Sequence, residues 1–317
     1  MFIEIQRVNQ ENLPDFLVKL QGSWKSSSLL WMQSNWFPVL QGIILNGWEA
    51  GTERTFSRFC RERGFSELLV RIEKPGQRWT RRRGGYTIPV SDARRLVDDL
   101  AEEGFLTMLL EPASPYADIY GVASVCDLAT GNVDVEVVGP GFDASDILRS
   151  DTTPHERFEV WFDLKGIRSG EAQEPQIRQL HVVQPEIYKT SVQRRLTKIG
   201  ARLRNPSFPE EVLEGASNSH CEQLRQDAVE YLRKTGHTLL LDHLNAYNPI
   251  PRQLLEVFLG QLIHLFAAAE TSHLPWQALS VASSFLQPER LVMWDFFSTE
   301  SQDTTLLSNV RTRPRAH

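Results

Sequence analysis

Short apolar runs separated by polar segments predict a chain built from both strands and helices. Runs at residues 67–72, 107–110 and 291–297 are mostly apolar, which is typical of buried strands. Apolar side chains at helical spacing predict helices at residues 52–63 and 91–103, and each is followed by a glycine that favours a stop. Strand and helix patterns therefore alternate in this part of the chain.

Further patterns follow toward the C-terminus. Apolar runs at residues 119–127 and 133–138 flank a turn at residues 129–132 and predict a β-hairpin. Residues 253–269 are nearly all apolar, so they predict a long helix buried on most sides. The pattern at residues 275–285 is ambiguous.

Length and charge narrow the classes of protein. With 317 residues, the chain is long enough for two lobes rather than one. We expect a short N-terminal segment at residues 1–50, a lobe at residues 51–146 and a second lobe at residues 147–317. The net charge of −6 disfavours wholesale nucleic-acid binding but leaves room for local basic patches that bind a small anion.

The cysteines and the N-terminal pattern suggest a compartment. Cys60, Cys126 and Cys221 lie far apart and lack metal-ligand spacing, so we expect thiols of a reducing compartment. The first residues show no basic-then-apolar signal pattern, and no uninterrupted apolar run approaches the ~20 residues that span a bilayer. We therefore expect a cytoplasmic protein without membrane contact.

The richest candidate chemistry lies in a loop at residues 74–86. Glycines let a backbone approach an anion closely, and arginines bind phosphate or carboxylate through two nitrogens. A solvated hairpin tip has the same composition. The cations of this loop are Lys74, Arg78, Arg81, Arg82 and Arg83, and its glycines are Gly76, Gly84 and Gly85.

Ionisable residues also interrupt or end the predicted strands. Arg71 lies within an apolar strand, where it needs a partner unless the strand end reaches water. Glu111 ends the strand at 107–110, and Asp118 follows seven positions later. Asp295 lies within the late apolar strand, so its carboxylate needs a cation, a hydrogen-bond donor or a metal. In a nucleotide site, such acids would contact ribose hydroxyls and hold Mg²⁺.

This order of basic strand, glycine-rich loop, helix and acidic strand end resembles the ATP-grasp superfamily. The resemblance implies an α+β fold in which two lobes with mainly antiparallel sheets hold a nucleotide between them, and it implies ATP and Mg²⁺ as cofactors. It suggests these roles: Arg71 or Lys74 as the phosphate cation, Arg83 as a catalytic cation, Gly84 and Gly85 as the loop over the phosphates, Glu111 as the hinge beside adenine, Asp118 as the ribose acid and Asp295 as the metal ligand.

The first functional hypothesis is an ATP-dependent ligase or kinase, in which Mg-ATP activates a carboxylate of an unidentified small-molecule or peptide substrate through an acyl-phosphate. Arg71 stands where the family usually has lysine, and Asp295 is followed by Phe296 and Phe297 rather than completing a Glu-x-Asn pair. The missing pair and the tryptophan-rich N-terminal region motivate a second hypothesis. A degenerate module would bind a nucleotide or a protein without catalysis. Whether the chain is an enzyme stays open.

Two other features favour different partners. Tryptophans crowd the N-terminal region, where such a cluster can stack on a base or a sugar but more commonly forms core or an interface with a protein partner; they are Trp24, Trp31, Trp36 and Trp48. A third hypothesis is a nucleic-acid-associated protein that contacts phosphates through Arg78–Arg83 and a basic helix near Arg194. The acidic total disfavours it. The absence of P-loop, GxGxxG, HExxH and GxSxG patterns argues against the commoner NTPases, dehydrogenases and proteases.

Overall fold

A computed structural model of the chain contains two antiparallel sheets with helices around them. For residues 179–182 and 297–298 the description covers the backbone only. The structure describes residues 1–77, 85–113, 119–148, 152–171, 175–182, 185–205, 217–234, 247–272 and 277–298.

Sheet A collects its strands from the first part of the chain. They are β1 (Phe2–Glu4), β2 (Gly42–Leu45), β3 (Glu67–Glu73), β4 (Tyr86–Pro89) and β5 (Leu106–Leu110). Their order across the sheet is β1-β2-β5-β3-β4, and each neighbouring pair is antiparallel. Every residue of the central strand β5 is buried, which explains its continuous apolar run.

Two amphipathic helices, α3 (Thr52–Arg63) and α4 (Ala93–Glu102), cover the outer face of sheet A. A glycine with positive φ follows each helix, Gly64 at 69° and Gly104 at 78°, a conformation that other residues adopt at a cost. The side chains that join these helices to the sheet are Phe56, Phe59, Cys60, Ala93, Val97, Leu100, Leu68, Val70 and Ile72.

The inner face of sheet A packs against helices α1 (Leu13–Lys19) and α2 (Trp24–Ser34). Helix α2 also contacts the last strand of the second sheet. There the Trp31 ring stacks on Phe296 with centroids 4.8 Å apart. Nearly all of α2 is buried, serines included, because it lies between the two sheets.

Sheet B contains the later strands β6 (Tyr120–Asp127), β7 (Asn132–Val138), β8 (Glu156–Trp161), β9 (Gln176–Val182), β10 (Ala278–Gln287) and β11 (Arg290–Ser298). They are arranged β11-β10-β6-β7-β8-β9, again with every pair antiparallel. The remaining labelled helices are α5 (Ala144–Leu148), α6 (Leu164–Ser169), α7 (Pro185–Arg204), α8 (Asn218–Lys234) and α9 (Arg252–Thr271).

The structure confirms the α+β class with two mainly antiparallel sheets. It also confirms the two early helices, the β6–β7 hairpin, the long late helix and the strand around Asp295. It adds α2 and the short strand β4 to the predicted elements, and it shows that the ambiguous region forms β10. All described strands of sheet A precede residue 111 and those of sheet B follow residue 119. The expected lobe boundaries at 50 and 146 stay a prediction.

Among the described helices, α9 is long and apolar enough to cross a bilayer by length and composition alone. Half of its most apolar stretch is buried inside the fold, where Phe258, Leu262 and Leu265 join the core. Core helices commonly share this composition. The cytoplasmic location stays a prediction.

Candidate functional site

One irregular position in β11 shapes the candidate site. Opposite β10, Asp295 pairs with Ala282 and Met293 pairs with Ser283, so Trp294 is an extra residue in the ladder. Such a β-bulge bends the strand and re-aims neighbouring groups. As a result, the Trp294 carbonyl oxygen and the Asp295 carboxylate both reach the same partner on sheet A.

That partner is Arg71 on the inner face of β3. Its Nη1 donates to the Trp294 carbonyl oxygen at 2.9 Å, and its Nη2 donates to Asp295 Oδ1 at 2.7 Å. The paired residues are 224 positions apart in the sequence, and 14% of the Arg71 side chain and 11% of the Asp295 side chain are exposed. The residue expected to bind phosphate and the residue expected to bind metal therefore bind each other.

The second carboxylate oxygen of Asp295 is also engaged. Ser145 in α5 donates from its hydroxyl to Asp295 Oδ2 at 3.0 Å. Asp143, just before that helix, accepts the Ser145 backbone N–H at 2.8 Å and adds another negative charge near Arg71. Segments from both sheets thus converge on one guanidinium.

Burial and charge act in opposite directions on this ion pair. Burial alone would raise the pKa of Asp295, but the charges of Arg71 and Lys25 and two hydrogen bonds outweigh it, so the pKa lies below its usual range. Burial lowers the pKa of Arg71, but the charge and hydrogen bond of Asp295 together with the charges of Asp143 and Glu73 outweigh it, so the pKa lies above its usual range. Both side chains are therefore charged at neutral pH.

Glu73, two positions after Arg71 on the same strand face, is a polar residue of this region that the sequence did not single out. Its carboxylate accepts the backbone N–H of Lys25 at 2.6 Å, and the N–H and hydroxyl of Ser26 at 3.0 and 2.9 Å. It thereby satisfies free N–H groups at the start of α2. Burial raises the pKa of Glu73 despite these donors.

Glu111 forms a second link between sheet A and β11. Its Oε1 lies 2.7 Å from Arg290 Nη2 and accepts the backbone N–H of Gln41 at 3.1 Å. Arg290 and Asp295 are five positions apart, so a regular strand would point them to opposite faces. The bulge at Trp294 shifts this alternation by one residue, which lets both side chains reach sheet A.

Lys74 and Gly85, at the two ends of the predicted phosphate loop, have different contacts. Lys74 Nζ lies over the Phe105 ring, 5.4 Å from its centroid, and Phe105 belongs to the outer core of sheet A. The structure therefore does not bring Lys74 to Asp295. Gly85 adopts φ of 93° and donates its N–H to the Val70 carbonyl at 2.6 Å, which places it beside Arg71.

The remaining predicted site residues, Arg83, Gly84 and Asp118, lie outside the described residues, as do Arg78, Arg81 and Arg82. Their roles stay predictions. The arginine-rich loop begins after Gln77 and ends before Gly85, so it connects β4 to β3, the strand that carries Arg71.

The arrangement at Asp295 does not fit a magnesium ion. Mg²⁺ needs several oxygen ligands in near-octahedral geometry. Across the described ranges, no group of three or more His, Cys, Asp and Glu side chains could hold a metal. Both Asp295 oxygens already accept hydrogen bonds, and a guanidinium 2.7 Å away would repel a divalent cation.

The four N-terminal tryptophans have different surroundings. Trp31 is fully buried in the core, and Trp48 packs edge-on against Phe56. Trp36 is 80% exposed and has a positive φ of 66°, a conformation that favours glycine. A contact between Trp36 and a protein partner stays a prediction.

The basic helix of the nucleic-acid hypothesis is α7. Its exposed cations include Lys189, Arg194, Lys198 and Arg202, whereas Arg195 lies over the Phe142 ring at 5.3 Å. Exposed lysines and arginines on one helix are common in proteins that bind no nucleic acid, so nucleic-acid binding also stays a prediction.

A second buried polar cluster lies within the sheet B region. Glu156 points into the core at the start of β8, where its Oε2 accepts the Tyr247 hydroxyl and the Ile250 N–H, the latter at 2.8 Å. Burial raises the pKa of Glu156 and of the Tyr247 phenol. A glutamate at an inward-facing position of an alternating strand is the sequence signal for this site.

His155 belongs to the same cluster. Its Nδ1 accepts the Gly139 N–H at 2.9 Å, so the neutral ring carries its hydrogen on Nε2. Burial lowers the pKa of His155 to about 4. Within the described part of the chain, neither its Nε2 nor the nearby Tyr188 hydroxyl has a hydrogen-bond partner. These groups are therefore buried in uncharged form.

A cavity of about 480 Å³ lies elsewhere, between the β6–β7 turn, α6 and α9. Leu128, Leu164 and Phe266 line it, and Arg168 and Glu270 pair at 3.3 Å beside it. None of the predicted site residues lines this cavity.

Comparisons with known proteins add little to this geometry. No protein-family model matches the chain, and no curated protein matches it. Among solved structures, it is similar to the D-alanine-D-alanine ligase from Coxiella burnetii, with 11% identity over 72% of this chain and a TM-score of 0.26. The match spans 63% of the ligase chain, less than two thirds of its length. A likeness this slight carries no argument about fold or activity.

Proposed function

We propose that the chain binds ATP between sheets A and B, with its phosphates at Arg71, in the manner of an ATP-grasp protein. The observation that supports this proposal best is the convergence at Arg71. A cation predicted on an early strand and a carboxylate predicted on a late strand meet, largely buried, between the two sheets. Buried charges are costly, and they are commonly kept where a site needs them.

The neighbouring groups suit an anion with several charges. The Arg71 guanidinium has a planar fork that binds phosphate oxygens in pairs. Lys25 at the start of α2 adds a second positive charge within electrostatic reach of Asp295. The arginine-rich loop connects β3 to β4 in the sequence, and we propose that its cations contact the outer phosphates.

Binding without catalysis is the form of this proposal that the contacts favour. Arg71 and Asp295 neutralise each other, and Glu111 is paired with Arg290. A site for carboxylate activation would instead present an unpaired cation to the transferring phosphoryl group.

An ATP-dependent ligase or kinase that forms an acyl-phosphate is the second candidate. The specific observation in its favour is that residues from both sheets, rather than from one, meet at the guanidinium. Its carboxylate and acceptor substrates remain to be identified by screening, and release of ADP would be its direct readout.

Thermal unfolding with added ATP tests the proposal, with and without Mg²⁺. A ligand that prefers the native state stabilises it by about 2.7 kcal/mol at a hundredfold excess over its Kd, so the melting temperature should rise. Arg71→Lys should reduce the rise because it removes the guanidinium fork. Arg63→Lys is the matched control, since Arg63 pairs with Glu4 at 2.9 Å on the far side of sheet A. An unchanged melting temperature up to millimolar ATP would refute binding.

A further inference from the structure

We infer that Asp295 is a built-in competitor for the anion that binds Arg71, so that ATP binds only when the carboxylate gives way. This inference rests on the proposed function and adds a regulatory contact to the same site. It assigns Asp295 the opposite role from a metal ligand, because losing the carboxylate should strengthen binding instead of weakening it.

A carboxylate on Arg71 competes chemically with a phosphate. A carboxylate and a phosphate use the same pair of guanidinium N–H groups. In this structure one of those groups is held by Asp295 Oδ1 at 2.7 Å and another by the Trp294 carbonyl at 2.9 Å. A phosphate that binds the same two nitrogens through this pair of N–H groups must displace at least one of these acceptors.

The shape of β11 holds both acceptors against Arg71. The bulge at Trp294 aims a main-chain and a side-chain oxygen at the same guanidinium. Ser145 then holds the other oxygen of Asp295 at 3.0 Å, which orients the carboxylate toward Arg71. The carboxylate is thus held in place as a competitor. The apparent affinity for an external anion is the intrinsic affinity multiplied by the fraction of molecules in which the carboxylate is displaced.

The two ion pairs along β11 differ in how exposed they are. Arg71 and Asp295 are both largely buried, whereas Arg290 in the second pair has 43% of its side chain exposed. Water weakens the exposed pair. The buried pair, which contains the proposed phosphate ligand Arg71, should therefore be the one that competes measurably with a bound phosphate.

Isothermal titration calorimetry with ATP and with inorganic tripolyphosphate tests this inference, both without Mg²⁺. Asp295→Asn keeps the size of the side chain and an oxygen acceptor but removes the charge. We expect it to bind both probes on the order of tenfold more tightly than the wild type. Glu4→Gln, the matched control, should bind them with the wild-type affinity because Glu4 pairs with Arg63 and not with Arg71.

Ser145→Ala provides a second variant in case Asp295→Asn folds poorly. It removes the hydroxyl that orients the carboxylate, so both probes should bind a fewfold more tightly, in the same direction. Wild-type binding combined with equal or weaker binding by both variants would overturn the inference and leave the proposed function standing. Failure of the wild type and both variants to bind either probe would refute the proposed function, and the inference with it.

Discussion

Two buried carboxylates in this protein are stabilised in opposite ways. Asp295 faces the guanidinium of Arg71 and keeps its charge. Glu156 faces the Tyr247 hydroxyl and a backbone N–H, without a cation among its described contacts, and burial raises its pKa. Asp295 lies between the two sheets, whereas Glu156 lies in the interior of the sheet B region. Burial alone therefore does not decide in which direction the pKa of an acid shifts; its partners do.

The comparison separates two kinds of risk to stability. An ion pair fails when one partner is removed, because the other charge remains buried. A neutral cluster fails when pH forces a charge onto it. Loss of the ion pair should lower the free energy of unfolding most, and a charge forced onto the neutral cluster by pH should lower it less.

Arg71→Met should cause the largest loss of stability. The change leaves the Asp295 carboxylate buried without its cation, which typically costs about 3–5 kcal/mol. Urea denaturation at pH 7 would measure the loss in the free energy of unfolding.

The double variant Arg71→Met with Asp295→Leu distinguishes the unpaired charge from lost packing. Replacing a buried ion pair by apolar residues is often neutral, so the double variant should recover most of the stability. A double variant as unstable as the single one would show that packing around the guanidinium, and not its charge, matters.

Acid should act through His155. Burial holds its pKa at about 4, below the unfolded value of 6.5, so its contribution is fully present above pH 6.5 and is lost as pH falls toward 4. The loss amounts to about 3 kcal/mol, at about 1.4 kcal/mol per pH unit. Free energies of unfolding measured from pH 7 to pH 4 should fall less steeply in His155→Phe than in the wild type.

His220→Gln is the control for the acid limb, because His220 is exposed on α8. It should retain the wild-type slope. Equal slopes for the wild type and His155→Phe would show that the buried imidazole does not control acid unfolding.

A rise in pH should destabilise the folded protein through Glu156, with a smaller effect. The pKa of Glu156 is raised in the folded protein, so its contribution is present below the unfolded pKa and is lost as pH rises through the folded pKa, at about 1.4 kcal/mol for each pH unit between the two. Glu156→Gln cannot ionise, so its stability relative to the wild type should increase between pH 4.5 and pH 8. Glu159→Gln, on the exposed side of the same strand, should show no such trend. A relative stability of Glu156→Gln that does not change with pH would mean that Glu156 is ionised in the native protein.

The sequence predicts the elements whose periodicity agrees with their burial. Helix α3 and strand β7 are examples, since their apolar positions face one core. Helix α2 is not predicted, because it is covered on nearly every side and its buried serines hide the helical period. Strand β4 is short and mostly exposed, so it carries no apolar pattern to detect.

The candidate site was predicted as residue types but not as contacts. The patterns show that Arg71 and Asp295 each need a partner, and the structure pairs them. Their meeting depends on a bulge and on a separation of 224 positions, neither of which has a local signal. The sequence does not single out Glu73, because its carboxylate accepts backbone N–H groups of helix α2, which is distant in the sequence.

The long separation between Arg71 and Asp295 has a consequence for synthesis of the chain. Sheet A is complete once residue 110 has left the ribosome, whereas β11 emerges after almost all of sheet B. Until then, Arg71 lacks its carboxylate and the Trp31 face of α2 lacks the ring of Phe296. The nascent protein must therefore keep this apolar and cationic face covered or solvated for much of its translation, a period in which chaperones would be most needed.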